Sequence, residues 1–242
     1  MITRRITCMF FFLIVLTGCM YPEDELAQNQ ISNDTQLQVV QHAVDQYVER
    51  KNGFIPIVTK DNDTPIYLKY VIDFNLLKSE SLIQSIPPTA FEAGGTYQYI
   101  LIDVEENPTV KVVDLKVADQ MRQVQQNLNI YISEHTYPPF GEKVTESIYT
   151  LNHEALRLDK PPFVISPYSG KNLPILIQTN GELIIDYRMD LYQFMNEYEH
   201  TYVAEDDLRK LITDNHPIAP AYSIPYTIID GEPQFVENLN EK

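Results

Sequence analysis

Two aspartates stand at matching ends of two matching apolar runs, Asp114 in "VVDLK" and Asp186 in "IIDYR". Paired carboxylates are the simplest grammar of acid-base hydrolysis, and glycosidases hold such a pair roughly 5–9 Å apart. The chain carries 34 acidic residues, so some will be close by chance. What singles out Asp114 and Asp186 is their equivalent place in the pattern. The competing reading, and the favoured one, is that each caps the helix or turn after its strand by accepting backbone N–H groups.

Other reactive constellations find no matching residues. A phosphate-cradling loop needs closely spaced glycines so that bare backbone can approach the phosphates. There are 8 glycines, only Gly94 and Gly95 are adjacent, and Gly170-Lys171 in "SPYSGKNLP" has neither the upstream glycine nor the following hydroxyl. That segment reads as a loop before a strand starting at Leu173. Asp61 and Asp63 have the first spacing of a calcium loop, but Ile66 and Ile72 occupy the glycine and glutamate places, so a turn at Asp61–Thr64 is expected instead. His42, His135, His153, His200 and His216 stand far apart in sequence, which is not ligand spacing. Gly-x-Ser-x-Gly and Ser-x-x-Lys are both missing. No catalytic nucleophile, cofactor-binding residue or metal ligand is assigned.

The two cysteines, Cys8 and Cys19, both lie at the N-terminus. Nine apolar residues run from Cys8 to Leu16 behind Arg4-Arg5, whereas a membrane-spanning helix needs about 20. The charged flank, short apolar middle and small-residue end are those of a signal peptide over residues 1–18. The sequence "LTGC" resembles the bacterial lipoprotein box, which implies cleavage before Cys19 and a diacylglyceryl group on its sulfur. Two acyl chains hold a protein stably where one does not. The expected location is the outer face of the cytoplasmic membrane, reached through that lipid anchor.

The formal charge is −16, and it becomes two units more negative once Arg4 and Arg5 leave with the signal. Such a field repels phosphate backbones, so no nucleic-acid partner is expected. Residues 19–33, the modified cysteine and "MYPEDELAQNQISN", hold little that could pack and read as an acidic tether with an end-to-end distance of roughly 20 Å.

From residue 34 the periodicity becomes helical, with Val40, Val44, Tyr47 and Val48 on one stripe and Gly53 as the stop. A second helix is expected over 119–134, where Val124, Leu128, Tyr131 and Ile132 repeat those offsets and Gln125 answers Gln41. Hairpins are expected in "TYQYILIDVEENPTVKVVDL", in "NLPILIQTNGELIIDYRM" and around Asp230-Gly231. Two shorter helices fall between the last two hairpins, with Leu191, Phe194 and Tyr198 in one and Leu208, Leu211 and Ile212 in the other. The fold class is α+β, read as an internal duplication of a helix plus antiparallel hairpin unit over 34–117 and 118–242. Sixteen tyrosines and no tryptophan allow an amphipathic recognition groove, although tyrosine is also at home where strands meet the core boundary.

The segments "LTGC", "IPPTAFEAGGTYQYILIDVEENPTVKVVDL" and "LPILIQTNGELIIDYRMDLYQF" resemble the lipoproteins of spore-forming Gram-positive bacteria of the YphF type, a family that brings no established activity with it. The expectation is a membrane-anchored, non-catalytic binding or assembly module with an envelope protein as partner. The alternatives are a solute-binding lipoprotein of a transporter or, less favoured, an envelope hydrolase using Asp114 or Asp186.

Overall fold

The computed structural model describes residues 25–236, with side chains from Asp34 onward; the segment expected as a signal peptide, Cys19 and residues 237–242 lie outside the described residues. Helix α1 runs Glu25–Arg50. It begins inside the segment expected as tether, where Glu25, Leu26, Ala27 and Gln28 are good helix formers with no proline or glycine among them. Residues Gln36–Lys242 form one compact unit, and the described part of the chain up to Thr35 supplies only the opening turns of α1. Gly53, at φ 92°, ends the helix region as its permissive backbone allows.

Two short helices follow, α2 (Ile66–Lys69) and α3 (Phe74–Ser79), the second capped by Asp73, whose carboxylate accepts from Asn75 and Leu76 N–H. Strands β1 (Tyr97–Ile102) and β2 (Thr109–Asp114) then pair as an antiparallel hairpin. Isolated bridges widen it on both sides: Val71 pairs with Ile100, Ile57 with Ile72, and Ile218 lies parallel to Val112. Because side chains alternate across a strand, the hairpin buries both faces. Tyr99, Leu101, Val110 and Val112 pack with Val40, Ala43, Val44 and Tyr47 of α1. Ile100, Ile102 and Val113 pack with Tyr67, Val71, Ala219 and Ala221. Gln41 ties α1 to the hairpin, accepting from Val110 N–H at 2.7 Å and donating to Pro108 O at 2.9 Å.

Gly94 and Gly95 serve this packing. Gly94 closes a 3-10 turn at φ 89°, and a Cβ on Gly95 would lie 2.1 Å from the Thr89 backbone. That close approach lets Tyr97 N–H reach Thr89 O.

Helix α4 (Leu115–His135) leaves directly from β2. It starts four residues before the expected 119, because Asp114 caps it. Its buried stripe, Val117, Met121, Val124 and Leu128, covers a five-stranded sheet made of β3 (Phe140–Lys143), β4 (Ile148–Leu151), β5 (Phe163–Ile165), β6 (Asn172–Gln178) and β7 (Leu183–Ile185). β6 is the central strand, pairing antiparallel with β4, β5 and β7. The chain closes with α5 (Arg188–Glu197), α6 (Arg209–Asn215) and the hairpin of β8 (Tyr226–Ile229) and β9 (Glu232–Phe235). Asp230 and Gly231 both have positive φ, as the two-residue primed turn requires.

The α+β class and the three antiparallel hairpins are as expected. The internal duplication is not established. Among the described residues β3, β4 and β5 have no counterparts before β1, and Gln125 bonds Asn129 on its own helix where Gln41 reaches the hairpin. Among the described residues no helix is long and apolar enough to cross a membrane.

Candidate functional site

Asp114 and Asp186 occupy equivalent corners, each at the end of a hairpin where the chain turns into a helix. The Asp114 carboxylate accepts from Lys116 N–H at 2.9 Å, and burial pushes its pKa above the usual 3.8 against that bond. Asp186 accepts from Arg188 N–H at 3.1 Å and receives the Arg188 guanidinium in a forked pair at 2.9 and 2.7 Å. Arg188 also lies 4.5 Å over the ring of Phe235, which pins the second helix to the last strand. Both aspartates therefore accept from a backbone N–H at a helix start, Asp114 with one oxygen, while both oxygens of Asp186 are engaged. Each has its own backbone partner, and among the described residues no hydrogen bond joins them.

A third carboxylate escaped sequence reasoning. Asp190, in the first turn of α5, is 1% exposed. Its two oxygens accept from Ser166 Oγ at 2.8 Å and Ser169 Oγ at 2.6 Å, while Ser166 Oγ in turn accepts from the N–H groups of Tyr168 and Ser169. This fastens the "SPYSGK" loop, which the sequence places before β6, onto a helix some 20 residues later. Burial raises the Asp190 pKa, opposed by the two serine hydrogen bonds and by Lys171. The fastened loop presents Tyr168, whose ring packs edge-on to Phe194 at 5.6 Å and His216 at 4.9 Å. Its hydroxyl donates to Ile218 O at 3.3 Å. The cluster is fully engaged in holding the fold. The only legible signal was composition, two serines and a glycine in one loop, which any tight turn would share.

Two acids ahead of α6, Asp206 and Asp207, serve as local ties. Asp207 accepts from Arg209 N–H and grips its side chain with both oxygens, while Asp206 accepts from Val203 N–H. Arg209, 4% exposed, lies 5.2 Å over the Tyr67 ring and donates to Ser223 O. Two buried tyrosines are structural as well: Tyr226 OH donates to Ile185 O and accepts from Tyr187 N–H, and Tyr187 OH donates to Ala221 O, all at 3.0 Å. Burial pushes both phenols far above their ordinary range.

An open cleft has a volume of about 480 Å³, inside the 300–1,000 Å³ range usual for small-ligand sites. Its floor is aliphatic, formed by Leu68, Val71, Val113, Leu115 and Ala118, and its rim carries Thr59, Lys60, Asp61, Thr64, Gln98 and Tyr222. The topology builds it from several separate segments. The 59–64 turn leaves the bridged segment at Val58, the hairpin gives Gln98 and Val113, and α4 begins beside them because Asp114 caps it there. Tyr222 forms the far side, held at φ 58°, with its carbonyl accepting from Ile185 N–H at 2.9 Å. A bulky residue in that backbone region is unusual, and such positions persist only where the surroundings impose them. Among the described residues no group of three His, Cys, Asp or Glu is arranged to hold a metal ion.

An α+β protein in which a hairpin and its covering helix adjoin a second, five-stranded sheet is the class this architecture defines. Within it, residues 33–114 match the family model of the YphF family N-terminal domain, so the chain is YphF-like over that segment. The match ends on Asp114, the residue that caps α4, and thus takes in the hairpin and the described helices that precede it. Comparison with curated proteins and with solved structures gives no match.

Proposed function

We propose that this chain is a lipid-anchored, extracytoplasmic module that binds an envelope partner and does no chemistry on it. The observation that supports this most is how the acids are used. Asp114, Asp186, Asp190 and Asp207 are each committed to backbone or side-chain partners that hold an element in place, and the open cleft has a polar rim of mixed charge over an apolar floor. That combination favours recognition over proton transfer, which needs a carboxyl group free to reach a reacting atom. The anchor rests on "LTGC" and on the short apolar run before it. The cleft also favours a second reading, a solute-binding lipoprotein that delivers a ligand to a transporter.

The test is crosslinking in cells, followed by isolation of the full chain from membranes, with Cys19→Ala as the control. The Cys19→Ala chain should remain unprocessed or appear in the medium, and an envelope protein should be recovered with the anchored form alone. Fractionation of Cys19→Ala with membranes in mature form would overturn the anchor. Recovery of a permease would move the reading to the transporter class.

A further inference from the structure

We infer that the cleft under Tyr222 binds a short zwitterionic peptide with an aliphatic side chain, the amino terminus going to Asp61 and the carboxylate to Lys60. This rests on the reading of the chain as a binding module and names the ligand class of its site.

The argument starts from what the rim offers. Lys60 and Asp61 are adjacent, exposed and opposite in charge, and no intramolecular ion pair or side-chain hydrogen bond engages either of them among the described residues. The side chains of Thr59 and Thr64 and the Tyr222 hydroxyl are likewise unengaged there. The rim is electrically balanced although the chain as a whole is at −16, so the site is not built for a simple cation and is the wrong place for a polyanion. A ligand carrying both charges satisfies both side chains, since charge-assisted hydrogen bonds are about twice as strong as neutral ones.

The floor chooses between a peptide and a sugar. Sugars present C–H faces that favour flat aromatic platforms, but here five aliphatic side chains form the base. Leu68, Val71 and Val113 suit a branched alkyl group, which gains about 25 cal/mol for each Å² removed from water. The hydroxyls of Thr59, Thr64 and Tyr222 can then bond peptide N–H and C=O groups, which need partners once desolvated. Tyr222 and Val113 are fixed from behind by backbone pairing, to Ile185 and within the hairpin. Part of the site is therefore pre-formed, which lowers the cost of binding.

The experiment is titration calorimetry on the full chain in detergent, with the tripeptide Ala-Leu-Ala, its N-acetyl form, its C-terminal amide and N,N′-diacetylchitobiose as probes. The free tripeptide should bind and the disaccharide should not. N-acetylation and Asp61→Asn should each weaken binding about tenfold or more, and the two together no further, because both remove the same contact. C-terminal amidation and Lys60→Gln should behave as a second such pair. Both residues are exposed, so their variants fold normally, and the circular dichroism spectrum checks this. Equal binding of capped and free peptides, binding of the disaccharide, or no binding by any probe would overturn the inference. None of those results touches the anchored-module reading, which stands or falls on the crosslinking and fractionation.

Discussion

Aspartate, at the scale of single residues, is the side chain this protein uses to turn corners. A short acceptor two bonds from the backbone can reach N–H groups one or two residues ahead, and Asp73, Asp114, Asp186 and Asp207 all do so. Asp190 differs, since its partners are distant in sequence and it is almost fully enclosed. Its raised pKa has a consequence for stability. When the folded pKa lies above the unfolded one, the folded state holds its proton longer, so the group's contribution is complete at low pH and is lost as pH rises through the folded value. Asp190→Asn cannot titrate and should escape that loss. The stability of Asp190→Asn relative to wild type, followed by urea unfolding from pH 3.5 to 7.5, should therefore increase with pH. A difference that stays flat would mean that Asp190 titrates at its ordinary value.

Elements depend on those corners. Helix α4 begins at Leu115 and not at Asp119 because Asp114 offers a cap as soon as the strand ends, and the extra turn places Leu115 and Ala118 in the cleft floor. Asp114→Ala should lower stability by about 1 kcal/mol, whereas Asp114→Ser, which keeps a capping oxygen, should cost only a fraction of that. Equal losses in denaturant unfolding would show that the cap contributes little. The Gly94-Gly95 pair separates two reasons for glycine. Gly94→Ala forces a left-handed backbone on a residue with Cβ, at about 1–2 kcal/mol. Gly95→Ala drives a methyl into the Thr89 backbone, and should cost about 3 kcal/mol or more because backbone cannot step aside as a side chain can. The order of the two variants in a thermal melt is the check.

The whole molecule is organised as three apolar clusters that share residues at their seams. Tyr168 packs against both the five-stranded sheet cluster and the α1 cluster, and Tyr222 against the sheet cluster and the outer face of the hairpin. Shared residues couple the clusters, so unfolding of Gln36–Lys242 should be one transition, with coincident curves by tyrosine fluorescence and far-ultraviolet circular dichroism. Tyr168→Phe, which removes only the hydrogen bond to Ile218 O, should cost about 1 kcal/mol and leave the single transition intact. Separation of the curves in the unsubstituted protein would show that the clusters melt independently.

Much was legible before any tertiary structure, because the signals were local. Alternating apolar strands around Asn180-Gly181 and Asp230-Gly231, the stripe of Val124 and Leu128, and the stop at Gly53 depend on backbone preferences that a few neighbouring residues settle among themselves. The reading of Asp114 as a helix cap was of the same kind. The start of α1 at Glu25 was missed because polar, helix-forming residues look alike in a helix and in a tether when no apolar stripe marks them. Other features were beyond a linear reading because their partners lie far apart in sequence. The bond from "SPYSGK" to Asp190, the stacking of Arg209 on Tyr67, and the meeting of Lys60, Asp61, Val113 and Tyr222 around one cleft all depend on chain segments brought together by the core. The sequence by itself determined the turns, the element types, the acidity and the N-terminal pattern on which the proposal of an anchor rests. Tertiary packing decided which polar groups were tied down and which were left facing a cavity, since burial and long-range contact exist only once the chain has folded.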